Sequence, residues 1–412
     1  MRLPPELAPL RGPGFRLLFA AESVSNLGTA MANVALAFAV LSIGGPTDLG
    51  LVLLGREVPT VILLLAGGVW SDRLPRHLVL VAGDAARGVT QGLTAALFLT
   101  GQATIPAVLV LQVVHGAVEA FERPAFQGLV PQVVDDNRLQ RANALLGLSH
   151  SVVFITGPAI GAILVAAAAP GWALAADALT FAISAALLVR LDMPRTLRLT
   201  GRSMLGDFHD GWREFTSRTW LVAIVAGFGL FQLTLFPALL VLGPTVAKTS
   251  LGGAGAWGTI LALQGVGSFL GGLIALRVRF GRPLVAMVLL TLPAGLALVL
   301  LGATAPLWAI AAVAFVSGIG FATGGAVWSG TLQEKIPRES ISRISSFDWF
   351  GSVALNPIGY ALIGPLSTVI GVSESLVLTG LLNIASSLAM IAIPSVRALG
   401  PGPEVVTGLE IA

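Results

Sequence analysis

The chain has no cysteine in its 412 residues, which excludes disulfides, thiolate metal ligands and thiol redox chemistry. Its four histidines are scattered without metal-ligand spacing, so no metal site and no cofactor are expected. Charge is scarce as well. Asp, Glu, Lys and Arg together make up 11% of the residues, against about 25% in soluble domains, and so few charges could not cover a water-exposed surface. The Walker, Gly-x-Ser-x-Gly and HExxH patterns of common enzymes are missing, as is the strand alternation of a membrane barrel. Apolar residues are abundant at 55%, accompanied by 49 glycines. That is the composition of an all-α integral membrane protein, with glycine where helices approach closely. The formal charge of +3 is read as topology rather than nucleic-acid binding. Arginine far outnumbers lysine, which suggests a GC-rich bacterial genome and hence a bacterial inner (cytoplasmic) membrane. The first apolar run reads as a retained helix rather than a cleavable signal.

A helix needs about 20 apolar residues to cross a bilayer. Twelve such runs are read, near 16–42, 50–70, 78–99, 104–122, 143–167, 172–190, 220–243, 254–276, 284–302, 306–328, 345–369 and 374–394. Every even-numbered exit is basic: Arg73 and Arg76, then Arg123, Arg138 and Arg141, then the arginines of 195–218, then Arg277, Arg279 and Arg282, then Lys335, Arg338 and Arg343. Lys248 is the clear exception on the opposite side. The positive-inside rule then puts both termini in the cytoplasm. The longest loop divides the chain into a six-helix bundle over 1–190, a linker over 191–219, a second six-helix bundle over 220–396 and a tail over 397–412. Within the linker, Leu205, Phe208, Trp212 and Phe215 recur at helical spacing, the pattern of an interfacial helix.

The two bundles read as repeats. Gly67-Gly68 finds a counterpart in Gly271-Gly272, and Gly157-Pro158 in Asn356-Pro357.

Polar residues inside the apolar runs are the functional candidates, because a polar stripe facing lipid is costly. Helix 1 carries Glu22, Asn26, Thr29 and Asn33 on one face, and helix 4 carries Gln112, His115, Glu119 and Glu122 on one face. A histidine and carboxylates on such faces are the ingredients of a proton relay, with Glu22 and Glu119 as the carriers. Glu122 is expected at the aqueous mouth, paired with Arg123. Asp84 and Arg87 on helix 3 are expected to pair with each other or with Arg56 and Glu57 of helix 2. Asp177 is expected near the outer surface in contact with water, and Asp348 at the N-terminus of helix 11. Gln232 and Gln264 would complete a substrate site. After helix 2, the stretch Gly67-Gly68-Val69-Trp70-Ser71-Asp72-Arg73-Leu74-Pro75-Arg76 crowds charges at the mouth of a hydrophobic hairpin. It reads as a latch in which Asp72 pairs with Arg123 or with the start of helix 11, while Arg73 and Arg76 also hold anionic lipid. In helix 5, Gly157-Pro158-Ala159-Ile160-Gly161 kinks and thins the helix.

The helix count, the central loop, the latch stretch (Gly68, Asp72, Arg73, Arg76) and the Gly157-Pro158-x-x-Gly161 motif resemble the major facilitator superfamily. Phe15 to Phe19, Val24 to Gly28, Asp72 to Arg76, Glu122-Arg123-Pro124-Ala125 and Arg141-Ala142-Asn143 resemble its branch of drug–proton antiporters related to the enterobactin exporter and macrolide efflux proteins. The chain departs from that branch at Thr29, where an acid is common, and at Gln112, where an arginine is common. The resemblance implies two pseudo-symmetric bundles, alternating access around a site lined by helices 1, 4, 7 and 10, and a monomer. It also implies export of a small lipophilic substrate in exchange for protons. The alternatives are an importer or facilitator of a small metabolite and, in another class, a non-transporting receptor or embedded enzyme.

Overall fold

A computed structural model describes residues 5–135, 138–191, 212–337 and 340–400, with the side chains of 5–6, 64–73 and 342–343 left aside. All regular structure among these residues is helical. The helices are α1 (Pro13–Ile43), α2 (Pro46–Arg73), α3 (Arg76–Leu99), α4 (Ile105–Val133), α5 (Leu139–Ala167) and α6 (Pro170–Leu188). In the second half, α7 runs through Thr219–Pro237, a π-helical stretch Ala238–Leu242 and Gly243–Ser250. It is followed by α8 (Ala254–Ala275), α9 (Pro283–Gly302), α10 (Leu307–Lys335), α11 in two pieces (Ile341–Val353 and Asn356–Ile370) and α12 (Val372–Ala392). Proline opens α1, α4, α6 and α9, where its missing N–H has no intrahelical partner to lose.

Ten of these helices are long and apolar enough to cross a membrane. The other two, α2 and α3, have 28 and 24 residues, or about 42 and 36 Å at 1.5 Å per residue. Both are long enough to cross as well, and α3 carries Asp84 and Arg87 within its span.

The halves repeat each other helix by helix. In the first, α1 packs on α5 and α6, α2 on α4, and α3 on α4 and α6; in the second, α7 packs on α11 and α12, α8 on α10, and α9 on α10 and α12. The contacts between halves, α2 with α11 and α5 with α8, are exchanged by the same symmetry. One close approach fixes the alignment. A Cβ on Gly116 of α4 would strike the carbonyl of Arg56 on α2, and a Cβ on Gly318 of α10 would strike the carbonyl of Gln264 on α8. Gln264 is therefore the second-half counterpart of Arg56, and Phe321, three residues past Gly318, is the counterpart of Glu119. The symmetry is imperfect at Asn356-Pro357: α11 breaks just before it, whereas α5 runs unbroken through Gly157-Pro158.

The apolar cores show where the halves meet. At the face opposite the chain termini, one cluster joins Val34 to Leu41 of α1 with Leu49 and Val52 of α2, Leu235 to Ala247 of α7, Trp257 of α8 and Tyr360 of α11. At the face of the termini each half keeps its own cluster, one around Phe15, Leu129 and Leu188, the other around Trp220, Leu284 and Ile344. Lys248 donates to the carbonyl of Leu41, so this exception to the charge pattern ties α7 to α1 across the joined face. Between the faces, Asn33 is exposed although Met31, Ala32 and Val34 to Leu41 are buried. An exposed residue in the middle of a buried run lines an internal cavity.

Candidate functional site

The cavity wall of the first half carries a charged network built from α1 to α6. Glu119 Oε2 accepts from Arg56 Nε at 3.1 Å and Nη2 at 3.0 Å, and Glu119 Oε1 accepts from Arg123 Nη2 at 2.9 Å. Arg56 Nη1 also donates to Asn33 Oδ1 at 3.3 Å, tying α2 to α1. Deeper, Arg87 Nη1 donates to Glu122 Oε2 at 2.5 Å and Nη2 to Thr29 Oγ1 at 3.3 Å, while its guanidinium lies 4.2 Å over the Phe181 ring. Each guanidinium is thus shared between helices, which stabilises charges that would be expensive if isolated.

The network assigns the state of His115. Arg87 Nε donates to His115 Nε2 at 3.2 Å, so Nε2 is an acceptor and the ring proton sits on Nδ1, 3.2 Å from Thr90 Oγ1. The Thr90 hydroxyl in turn donates to the carbonyl of Arg87 at 3.0 Å. His115 is therefore a neutral link between α3 and α4 in this conformation.

Several expectations are corrected here. Glu122 is not at a mouth beside Arg123: it is 7% exposed and pairs with Arg87, and it is Glu119 that holds Arg123. Asp84 and Arg56 do not meet; Asp84 Oδ2 accepts from Ser184 of α6 at 2.5 Å. Asp177 is 1% exposed, far from water contact, and accepts from Gln91 Nε2 at 2.8 Å. Asp348 accepts from Trp328 Nε1 at 2.9 Å, bonding α11 to α10. Arg76 Nη1 donates to the Gly128 carbonyl of α4 at 2.5 Å, which employs it within the protein as well. Sequence periodicity put Glu119, Glu122 and His115 on one face of α4, but neighbouring helices divide that face: Arg56 of α2 takes Glu119, while Arg87 of α3 takes Glu122 and His115.

On α1, Asn26 Nδ2 donates to Glu22 Oε1 at 2.9 Å, and His150 Nε2 of α5 lies 3.7 Å from the same oxygen and 3.3 Å from Asn26 Nδ2. Sequence reasoning missed His150, which has no polar neighbour at helical spacing strong enough to mark it. Gln112 is 1% exposed and neither of its amide atoms has a partner among the described residues. Gln232 Oε1 is likewise buried without one, while Gln264 is half-buried.

The GPxxG motif is a packing device. A Cβ at Gly157 would meet Ala30, and one at Gly161 would meet the backbone of Met31, so α5 lies directly on α1. Pro158 and Ala162 in turn face Gly258 of α8. The latch residues Gly68, Asp72 and Arg73 lie outside the described side chains. Their expected partner Arg123 lies 6.0 Å from the Trp349 ring of α11 and so reaches the second half. Of the interfacial helix, 192–211 lies outside the described residues. Trp212 and Phe215 stack on each other and pack on Phe347 of α11, so the end of the linker docks on the second half.

The second half carries an aromatic cluster on α7 and α10. Phe228 stacks on Phe231 at 5.2 Å, Phe231 meets Phe321 edge-on at 5.7 Å, and Phe236 lies 6.4 Å from Phe321. Where the first half has the ion pair Arg56–Glu119, the second has Gln264 and Phe321.

Two repeated helical units joined at one face make up a multi-pass membrane transporter. The chain belongs to the Major Facilitator Superfamily, whose family profile matches residues 18–354. It is 28% identical over 333 residues to an uncharacterized MFS-type transporter, YkuC, of Bacillus subtilis, covering 74% of each chain. It is 24% identical over 407 residues to the multidrug efflux pump Tap of Mycobacterium tuberculosis, covering 96% of each. Among solved structures it resembles a bacterial homologue of the human lysosomal transporter Spinster, inward-facing and unoccupied, with a TM-score of 0.72, 15% identity, and coverage of 96% of this chain and 98% of that one. It also resembles the nucleoside transporter NupG, with a TM-score of 0.71, 13% identity, and coverage of 92% and 98%. As a family of transporters, it is not one of enzymes.

Proposed function

We propose that the protein exports a small hydrophobic or amphipathic compound across the bacterial inner membrane in exchange for protons. The observation that carries this reading is the division of labour between the two halves. The first presents two arginines shared among acids, and the second presents Gln264 and Phe321 where the first has Arg56 and Glu119, with Phe231 and Phe236 packed around Phe321. An apolar wall with a few polar groups opposite suits a lipophilic ligand with one polar end. The charged wall supplies groups whose partners can change with protonation, and only a difference in proton or substrate affinity between two states can drive a cycle. The relative matched over 96% of its length is a multidrug efflux pump, which supports the same direction.

In this reading the termini are cytoplasmic, the protein works as a monomer, and the described conformation is the one open to the cytoplasm. Substrate enters from that side or from the inner leaflet, against Asn33, Gln112, Gln232 and Gln264. Glu22, beside His150, and Glu119, between Arg56 and Arg123, exchange protons with the cavity. Asp72 holds the opposite state by pairing across the cytoplasmic face.

The test is export of a fluorescent lipophilic dye from proteoliposomes under an imposed pH gradient. Dye should move against its gradient when protons run inward, and collapse of the pH gradient should stop it. Unchanged pH-driven export in the Glu22→Gln/Glu119→Gln double variant would remove these two residues from the coupling. Dye-independent accumulation of a polar metabolite would replace export with import.

A further inference from the structure

We infer that Asp177, in the seam between α3 and α6, is a proton-binding site whose carboxyl is neutral in this conformation. The argument rests on the partners of the carboxyl. The Thr180 hydroxyl donates to the Asp177 carbonyl at 2.7 Å and to Asp177 Oδ1 at 3.3 Å. The other carboxyl oxygen, Oδ2, accepts from Gln91 Nε2 at 2.8 Å, and Gln91 Oε1, itself buried, has no partner among the described residues. A neutral acid fits this set of uncharged neighbours, and an isolated carboxylate would be costly there.

Burial is enforced by α1. Gly28 lies directly over the group, and a methyl in its place would overlap both Thr180 Oγ1 and Asp177 Oδ1. The helices packed against this seam carry Glu22 on α1, Asp84 and Arg87 on α3, and His150 on α5. Asp177 forms no ion pair among the described residues, and Arg87 on α3 and Arg56 on α2 are bonded elsewhere, to Glu122 and Glu119. Loss of the proton would leave a carboxylate able to recruit Arg87 of the adjoining α3. Recruiting it would draw Arg87 off Glu122 and His115, so the seam can signal to the cavity wall.

The second half supplies the control. In the matching seam of α12 against α7 and α9, Asn383 is fully buried and donates to the Phe231 carbonyl at 3.1 Å and Thr234 Oγ1 at 3.2 Å. A seam of this kind closes on a neutral amide, so Asp177→Asn should fold.

The role in transport rests on the proton-coupled reading above, but the protonation does not, and the experiment separates them. Infrared difference spectra between acid and alkaline pH are recorded on the full-length protein in lipid vesicles, without substrate. A protonated-carboxyl band present in the wild type should be missing in Asp177→Asn and retained in Asp48→Asn. An unchanged band in Asp177→Asn would overturn the proposal. In a second arm, Asp177→Asn should keep dye counterflow within about twofold and lose pH-driven uphill export at least tenfold, a factor equal to about 1.4 kcal/mol of coupling. Full pH-driven export by the variant would overturn the coupling role. If the wild type shows no pH-driven export, the export reading fails while the infrared result still decides the site.

Discussion

At the scale of the residue, buried charge decides most of what is distinctive. Arg87 and Glu122 have 11% and 9% of their side chains exposed, and removing one member of such a pair leaves the other uncompensated, at a cost of about 3–5 kcal/mol. Arg87→Met should therefore lower the unfolding temperature sharply in detergent, and Arg87→Met/Glu122→Gln should recover most of the loss; equal damage in single and double variants would show that the pair is not the source. The sequence made the polar candidates legible because apolar runs throw them into relief. It did not make their partners legible: Glu119, Glu122 and Arg123 lie within two turns on α4, and which acid takes which arginine depends on where α2 and α3 come to rest. Asp177 shows the same limit. Its position near a helix end suggested water, and the overlying backbone of Gly28 excludes it.

At the scale of the element, the lack of large side chains does the work that hydrophobic burial does in a soluble protein. Lipid is as apolar as leucine, so membrane helices associate through close backbone contact. Gly320 of α10 approaches the Leu290 carbonyl of α9 so closely that a Cβ would overlap it, whereas Gly325, on the same helix, has nothing within 4 Å. Gly320→Ala should cost about 1–3 kcal/mol by forcing the helices apart, read as a lower unfolding temperature, and Gly325→Ala should change little. A comparable loss at both positions would mean that helix propensity, not packing, is being measured. The twelve runs anticipated the helices to within a few residues at most ends, because span length is set by the bilayer. The split of α11 at Asn356-Pro357 and the π-helical stretch after Pro237 were not legible, since proline in α5 leaves that helix continuous.

At the scale of the whole molecule, the state of the cavity is the decisive property. With no native cysteine, a single thiol reports access cleanly. Asn33→Cys should react with a membrane-impermeant maleimide offered from the face of the termini and be protected from the opposite face, where Val34 to Leu41 are sealed against the second half. Labelling from the opposite face instead would mean that the resting protein adopts the other state. The sequence by itself determined the class of protein, the number and order of its helices and the repeat of its halves, because hydropathy, span length and loop charge are local properties that a bilayer reads directly. The tertiary structure alone decided which carboxylates share which arginines, that Arg56 and Glu119 face Gln264 and Phe321 as unlike counterparts, and that Asp177 is sealed in a seam. Those outcomes depend on distances between helices that are far apart in the chain, and no local pattern encodes them.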